Sequence, residues 1–199
     1  MIAIRGFGSS IVSELLPMLP ADEVVIRVSR DADNPTVADR HLFCAGVIRP
    51  KRGADQTREE IEESTRVNLW SVTDQCERIL SSNTAARICI IGSESGFAGS
   101  FDDVYAASKS AVHGYVESKR LKSPHQQIVC LAPSIIEDCG MTIRRADHQN
   151  LEARRLAHPM RRFLTAQEVA TWVHFLLYVD AGYMSNQVIR LNGGEHLWR

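Results

Sequence analysis

Two residues with complementary proton chemistry stand four apart in Tyr105-Ala-Ala-Ser-Lys109. In a helix, that spacing puts both side chains on one face. A phenol ordinarily holds its proton up to about pH 10. A neighbouring ammonium favours the phenolate, so such a pair can give or take a proton near neutrality. Chance placement of four Tyr and four Lys would produce only about 0.08 such pairs on helical faces, yet Tyr115-Val-Glu-Ser-Lys119 repeats the spacing. At about 100° per residue the two pairs point to different sides of the helix, so one site can use only one of them. The upstream sequence chooses. Gly92-Ser93-Glu94-Ser95-Gly96 closes a strand and sets the Ser93 hydroxyl twelve residues before Tyr105, where it can bond the substrate oxygen that the phenol protonates. Tyr115 has no comparable partner and reads as a core or interface aromatic.

The elements that must position these groups alternate along the chain. Met1–Arg5, Glu23–Ser29, His41–Cys44, Arg87–Ile91, Ile128–Leu131 and Gln187–Leu191 read as strands, most of them closed by Gly or Pro. Between them, Ser10–Leu16, residues 57–80, Val104–Leu121 and Thr165–Tyr178 read as helices. The 57–80 helix has an apolar stripe at Ile61, Thr65, Leu69, Val72, Cys76 and Ile79, and Thr165-Ala-Gln-Glu168 is a capping-box pattern. This alternation predicts an α/β chain with an open, doubly wound parallel sheet covered on both faces, whose ligands bind beyond the carboxyl ends of the strands. The 199 residues suggest a single domain, 1–199.

Composition excludes several classes. Hydrophobic residues make up 44% and charged residues 24%, ordinary for a soluble globular chain and unlike a disordered one. The net charge of −1 gives no reason to expect nucleic-acid binding. No apolar run reaches the ~20 residues of a membrane span, and the N-terminus lacks a signal-peptide pattern. The five cysteines (44, 76, 89, 130 and 139) form no CxxC pair and have no His at metal-finger spacing. We therefore expect no metal and a reducing, cytoplasmic setting.

At the first strand end, Arg5-Gly6-Phe7-Gly8-Ser9-Ser10-Ile11 leads into a helix, the context of a dinucleotide-binding loop. Taken with Cys44-Ala45-Gly46, Val67-Asn68-Leu69, Ser93, Tyr105-Ala-Ala-Ser-Lys109, Ala132-Pro133-Ser134, Gln167–Ala170 and Asn192-Gly193-Gly194, it resembles the short-chain dehydrogenase/reductase family over essentially the whole chain. The resemblance implies a Rossmann-type sheet, a nicotinamide cofactor, and hydride transfer between a carbonyl and a secondary alcohol. In that reading Tyr105 exchanges the proton, and Lys109 supports it and holds the nicotinamide ribose. Ser93 orients the substrate oxygen, and Asn68 anchors a water-borne proton relay or bridges sheet and helix as a structural amide. The cofactor would lie along Gly6, Gly8, Ser9, Ser10, Ile11, Ser29, Arg30, Ala45, Gly46, Tyr105, Lys109, Pro133, Ser134 and Ile136.

The departures from the family pattern carry expectations too. Against TGxxxGxG, Ser10 and Val12 replace the second and third glycines. They either crowd the pyrophosphate, push the helix off the sheet, or leave Gly6 and Gly8 as the close-approach pair of a shortened loop. Only ten residues, 31–40, separate Arg30 from His41, too few for the family's further helices and strand, so the fold should be trimmed there. Asp138 stands where the family has a Thr near the phosphates, a repulsive position for a carboxylate. Arg30 suits a 2′-phosphate, favouring NADP(H) over NAD(H), while Asp31 keeps NAD(H) open.

The segment 137–162 should cover the substrate. It carries Arg144, Arg145, Arg154, Arg155, Arg161 and Arg162, either a cationic lid for an anionic substrate or a solvated face. The resemblance implies that the helices 57–80 and 104–121 pair with a second copy in a homodimer or homotetramer, and Trp70, Val112 and Tyr115 would suit such an interface or the core equally well. Two functions remain open: an active oxidoreductase, and a nucleotide-binding or regulatory protein with little turnover. A scaffold partner in a hetero-oligomer is a third.

Overall fold

The computed structural model describes residues 1–29, 37–179 and 181–195. Among them, β1 (Ile2–Arg5), β2 (Val25–Val28), β3 (Arg40–Phe43), β4 (Arg87–Ile91), β5 (Gln127–Pro133) and β6 (Gln187–Leu191) form one sheet. Every pairing is parallel, in the order β2-β1-β3-β4-β5-β6. The helices are α1 (Ser10–Leu15), α2 (Arg58–Thr65), α3 (Ser71–Ser82), α4 (Ser95–Ala98), α5 (Asp103–Ser118), α6 (Gly140–Ile143), α7 (His148–Ala157) and α8 (Ala166–Tyr178).

Alternate residues of the strands feed two cores, as a sheet covered on both faces requires. Ile2, Ile4, Leu42, Cys89, Ile91, Val129 and Leu131 pack against α1 and α8. Phe43, Ile88, Ile90, Ile128 and Cys130 pack against α3 and α5. The strand order reverses between β1 and β3. This switch point puts a crevice beyond their carboxyl ends, where Gly6 and Cys44-Ala45-Gly46 lie. β2 is the outermost strand, and eleven residues, 29–39, join it to β3. The strand that lies beyond it in the order 3-2-1-4-5-6 has no counterpart among the described residues, in line with the expected trimming.

The long helix expected over 57–80 departs from the sequence pattern in one respect. Thr57 caps it with a full capping box, but Arg66–Trp70 forms a π turn, with the Ser71 N–H reaching the Arg66 carbonyl. One extra residue in a turn rotates all that precedes it. The buried positions are therefore Ser64 before the bulge and Val67 and Asn68 within it, and the expected Thr65 and Leu69 are only half-buried. Beyond it, Val72, Cys76 and Ile79 face the core as expected.

Candidate active site

In the glycine turn, Gly6 makes the close backbone approach and Gly8 is open. Gly6 has φ +79, and a β-carbon there would stand 2.5 Å from the Ala45 nitrogen and 2.6 Å from the Cys44 carbonyl carbon. Only glycine lets β1 turn past the end of β3 so closely. A β-carbon at Gly8 would meet nothing within 4 Å, so this glycine faces open space. Ser9 caps α1 by accepting from the Ile11 N–H at 3.3 Å. Ile11 and Val12 are buried against α8 and the sheet. Val12 therefore fills the helix–sheet interface in place of a third glycine, its side chain turned into the core. Ser10 Oγ donates to the Asp138 carbonyl at 2.9 Å. Arg5 turns to the other face, over the Phe43 ring at 4.2 Å and onto Gln75 of α3.

Tyr105 and Lys109 come together on the inner face of α5, 6% and 4% exposed. Lys109 Nζ lies 5.7 Å from the centre of the Tyr105 ring and donates to the Ile91 carbonyl at 2.8 Å. The ammonium thus joins α5 to the end of β4, two residues before Ser93. Ser93 Oγ accepts from the Ser95 N–H at 3.1 Å, which fixes its direction. Around Gly46, a β-carbon would stand 3.5 Å from Asn68 Oδ1, 3.9 Å from Lys109 Nζ and 3.5 Å from Met141 Cε. Asn68, Lys109 and the end of β3 therefore share one floor.

Asn68 is fully buried in the π turn. Its Oδ1 accepts from the Val47 N–H at 2.9 Å and its Nδ2 donates to the Val47 carbonyl at 2.7 Å. The side chain is spent on the backbone after β3, as the structural-amide alternative expected. Tyr115 lies away from this floor. Its hydroxyl donates to Glu77 at 2.8 Å, and Lys119 is ion-paired with the same carboxylate. Burial pushes the Tyr115 phenol well up. The second Tyr/Lys pair is thus a surface clasp between α3 and α5.

Beyond β5, Pro133 is buried and the Ser134 N–H is bound to the Leu191 carbonyl at 3.0 Å. Ile136 bridges to Leu164 through the backbone groups of its neighbours, since Leu164 N–H reaches Ile135 O at 3.1 Å and Glu137 N–H reaches Leu164 O at 2.9 Å. The repulsion expected from Asp138 is relieved. Its Oδ1 accepts from the Ala166 N–H at 2.8 Å, so the carboxylate serves the start of α8, where helix polarity favours it. Ser29 is exposed at the end of β2. Arg30 and Asp31 lie outside the described residues. Arg27, which the sequence reading did not single out, has its guanidinium 3.9 Å from the centre of the Phe7 ring at the tip of the glycine turn.

The arginine-rich segment 137–162 is more neutral than its composition suggests. Arg145 pairs with Asp147, Arg154 with Glu195, Arg155 with Glu152 and Arg162 with Glu168, at 2.6–3.1 Å. Of the residues expected at an interface or in the core, Trp70 is 64% exposed, Tyr115 is half-buried, and Val112 is a core residue under α3. Asp102 was missed. It is buried and caps α5 by accepting from the Tyr105 N–H at 3.0 Å, while also holding Arg49 N–H and Gln56 Nε2, each at 2.8 Å. An Asp three residues before Tyr105 at a helix start was the available signal. Among the described residues no cluster of three or more His, Cys, Asp or Glu could hold a metal.

An open parallel sheet with a Tyr/Lys pair beside its switch point defines a nucleotide-site α/β protein. Comparison with known proteins gives the family. A family model described as enoyl-(acyl carrier protein) reductase matches residues 34–196. The 3-oxoacyl-[acyl-carrier-protein] reductase FabG of Buchnera aphidicola is 26% identical over 199 residues, covering 97% of this chain and 79% of that one. The 3-oxoacyl-[acyl-carrier-protein] reductase MabA of Mycobacterium tuberculosis is 34% identical over 144 residues, covering 69% of this chain and 58% of that one. A short-chain dehydrogenase/reductase from Brucella melitensis has the same fold, with a TM-score of 0.85 at 18% identity over 99% of this chain and 96% of that one. A 3-oxoacyl (acyl-carrier-protein) reductase from Agrobacterium tumefaciens, solved with NADP bound, gives 0.79 at 17% over 96% and 93%. The chain belongs to the short-chain dehydrogenase/reductase family of NAD(P)-dependent oxidoreductases.

Proposed function

We propose that this chain interconverts a carbonyl and a secondary alcohol, with Tyr105 as the acid/base. The observation that carries this reading is the buried Tyr105–Lys109 pair, tied to the end of β4 and sharing the Gly46 floor with Asn68. The open face of Gly8 and the ring of groups around Gly46 suit a dinucleotide. Gly6, Gly8, Ser9 and Ser10 would hold its phosphates, and Ala45, Gly46, Lys109 and Ile136 its nicotinamide half. When bound, the nicotinamide supplies or accepts the hydride.

The chain's own residues manage the oxygen. Tyr105 gives its phenolic proton to a carbonyl oxygen on reduction and recovers it from the alcohol on oxidation. Lys109, with one N–H on Ile91 O, would have its remaining hydrogens for the ribose of a bound nicotinamide cofactor and for the phenol. Ser93 has a lone pair engaged by the Ser95 N–H, so its O–H is directed at the substrate oxygen as charge develops there. Asn68 contributes by holding the backbone after β3 and the π turn in place. NADP(H) is favoured over NAD(H) because Arg27 stands beside the glycine turn on the adenosine side.

The names of the relatives make a 3-oxoacyl thioester the first substrate to test. A cytoplasmic setting belongs to the same reading, supported by five free cysteines. So does a homodimer or homotetramer, supported by exposed Trp70 and by a groove of about 350 Å³ lined by Thr65, Leu69, Asp103, Val104, Ala107 and Ser108. The second reading, binding with little turnover, draws on Ser10 and Val12 in place of two family glycines, the short segment after β2, and Asp138, whose backbone carbonyl accepts from Ser10 Oγ at 2.9 Å. Steady-state reduction of a 3-oxoacyl thioester by NADPH tests both. We expect Tyr105→Phe to lower kcat by about 100-fold or more while cofactor affinity, read by nicotinamide fluorescence, stays within about threefold. Cofactor binding without turnover across a carbonyl panel would favour the second reading.

A further inference from the structure

His113 lies on α5, four residues beyond Lys109 and eight beyond Tyr105, and is 4% exposed. Neither ring nitrogen has a hydrogen-bond partner. A buried imidazole without partners calls for an explanation, because an apolar residue would fill the space without stranding two polar atoms. Its surroundings provide one. A β-carbon on Gly92 would stand 2.7 Å from Nε2, and one on Gly96 would stand 2.5 Å from Cε1 and 2.8 Å from Nδ1. The flat ring therefore lies directly under both ends of the five-residue turn that carries Ser93, and only glycine at each end lets the turn settle on it.

The other edges of that turn are also fastened. Phe97 stacks on His113 with centroids 4.5 Å apart, and the Arg190 guanidinium lies 4.6 Å from the centre of the Phe97 ring. Arg190 Nε reaches buried Glu94 Oε2 at 3.1 Å, and Asn192 Nδ2 donates to Glu94 Oε1 at 3.2 Å. Backbone bonds hang the turn from β5, Gly92 N–H on Leu131 O at 2.7 Å and Glu94 N–H on Pro133 O at 2.8 Å. These bonds set the height of the turn above the sheet. The His113–Phe97 stack lies beneath the turn, and within the turn Ser93 Oγ is held by the Ser95 N–H.

We propose that His113 is a positioning residue for the Ser93 hydroxyl, acting through the shape of its ring as the seat of the Gly92–Gly96 turn. The inference rests on the oxidoreductase reading above. Burial and the nearby Lys109 and Arg190 push the imidazole down to about 4, against the opposing pull of Glu94, so the ring is neutral at physiological pH. A neutral ring can sit under two backbone glycines beside an ammonium, whereas an imidazolium there would repel Lys109.

The test is a kcat cycle over wild type, Ser93→Ala, His113→Ala and the double variant, together with amide hydrogen exchange of the unliganded proteins. Ser93→Ala should lower kcat by about 100-fold, the usual cost of one donor to a developing oxyanion. His113→Ala should lower kcat by about tenfold with cofactor affinity within about twofold, and should cost nothing further in the Ser93→Ala background, as expected when one residue acts through the other. Exchange should quicken in residues 92–98 and stay unchanged in 105–109. Phe97→Ala removes the stacking partner from a position 44% exposed. It should reproduce a weaker form of both effects and decides the matter if His113→Ala does not fold. Multiplicative losses in the double variant, or unchanged exchange in 92–98, overturn the proposal. A Ser93→Ala variant as active as wild type, or no turnover by wild type, instead refutes the reading on which it rests.

Discussion

Removing the Asp102 carboxylate should both destabilise the fold and loosen the helix that presents Tyr105. The side chain is fully buried and accepts three hydrogen bonds, from Tyr105 N–H at 3.0 Å, Gln56 Nε2 at 2.8 Å and Arg49 N–H at 2.8 Å. Asp102→Ala removes an N-cap, about 1 kcal/mol. It also strands two further donors, about 1–3 kcal/mol each where water cannot reach them. Allowing for partial relaxation, the expected loss is about 3–5 kcal/mol, a large share of the ~5–15 kcal/mol that holds a domain together. For a chain of this size each kcal/mol moves Tm by about 2–4 °C, so thermal unfolding followed by circular dichroism should shift down by at least about 6 °C. Asp102→Asn keeps one accepting oxygen but turns an NH2 toward a donor, and should lose about half as much. Because Arg49 and Gln56 belong to the segment after β3, kcat should fall along with Tm. A shift below about 3 °C with unchanged kcat would show that the three bonds are not the tie between the Tyr105 helix and the β3 loop.

Three further outcomes follow from the same geometry. Val12→Gly, which restores the family's glycine, should cost about 3 kcal/mol by opening a cavity under α8 and weakening α1. It should not tighten cofactor binding more than about twofold by fluorescence titration, and a large gain in affinity would contradict the placement of Val12. Gly6→Ala would strain a residue at φ +79 and drive a methyl to 2.5 Å from the Ala45 nitrogen. Nicotinamide fluorescence should show at least about a tenfold weaker cofactor complex, and an unchanged affinity would refute the close approach. His41 and His113 are both pushed down to about 4, chiefly by burial, against about 6.5 in an unfolded chain. Between those values the unfolded state binds more protons, so stability is complete above about pH 6.5 and is lost as pH falls toward about 4. Urea midpoints should drop across that window, and a flat profile would show that neither ring is buried in its neutral form.

Residues whose meaning is local were legible from the chain alone. Strand ends marked by Gly and Pro, the capping box at Thr165, and the Tyr105–Lys109 spacing all depend on backbone preferences that operate over a few residues. The trimming after β2 needed only the number of residues available. The Gly92-Ser93 strand end picked out Tyr105 over Tyr115, and the structure gives Tyr115 to a surface clasp with Glu77.

Other features depend on what each residue meets across the fold. The π turn at Arg66–Trp70 exists where Asn68 is bound on both sides to Val47, a segment twenty-one positions away, and no helical periodicity encodes such a partner. Val12 looked like an obstruction until α8 was seen to cover it, and Asp138 looked repulsive until its carboxylate was seen to serve the Ala166 N–H. The arginines of 137–162 left a cationic lid and a solvated face both open until their acids, one of them Glu195, were placed beside them. The order of residues along the chain thus determined the elements and the pairing of Tyr105 with Lys109 on one helix face, because those follow from short-range backbone geometry and helical spacing. Packing decided which side chains face the cleft and which are spent on holding it together, because burial and charge pairing are set by neighbours that only folding brings near.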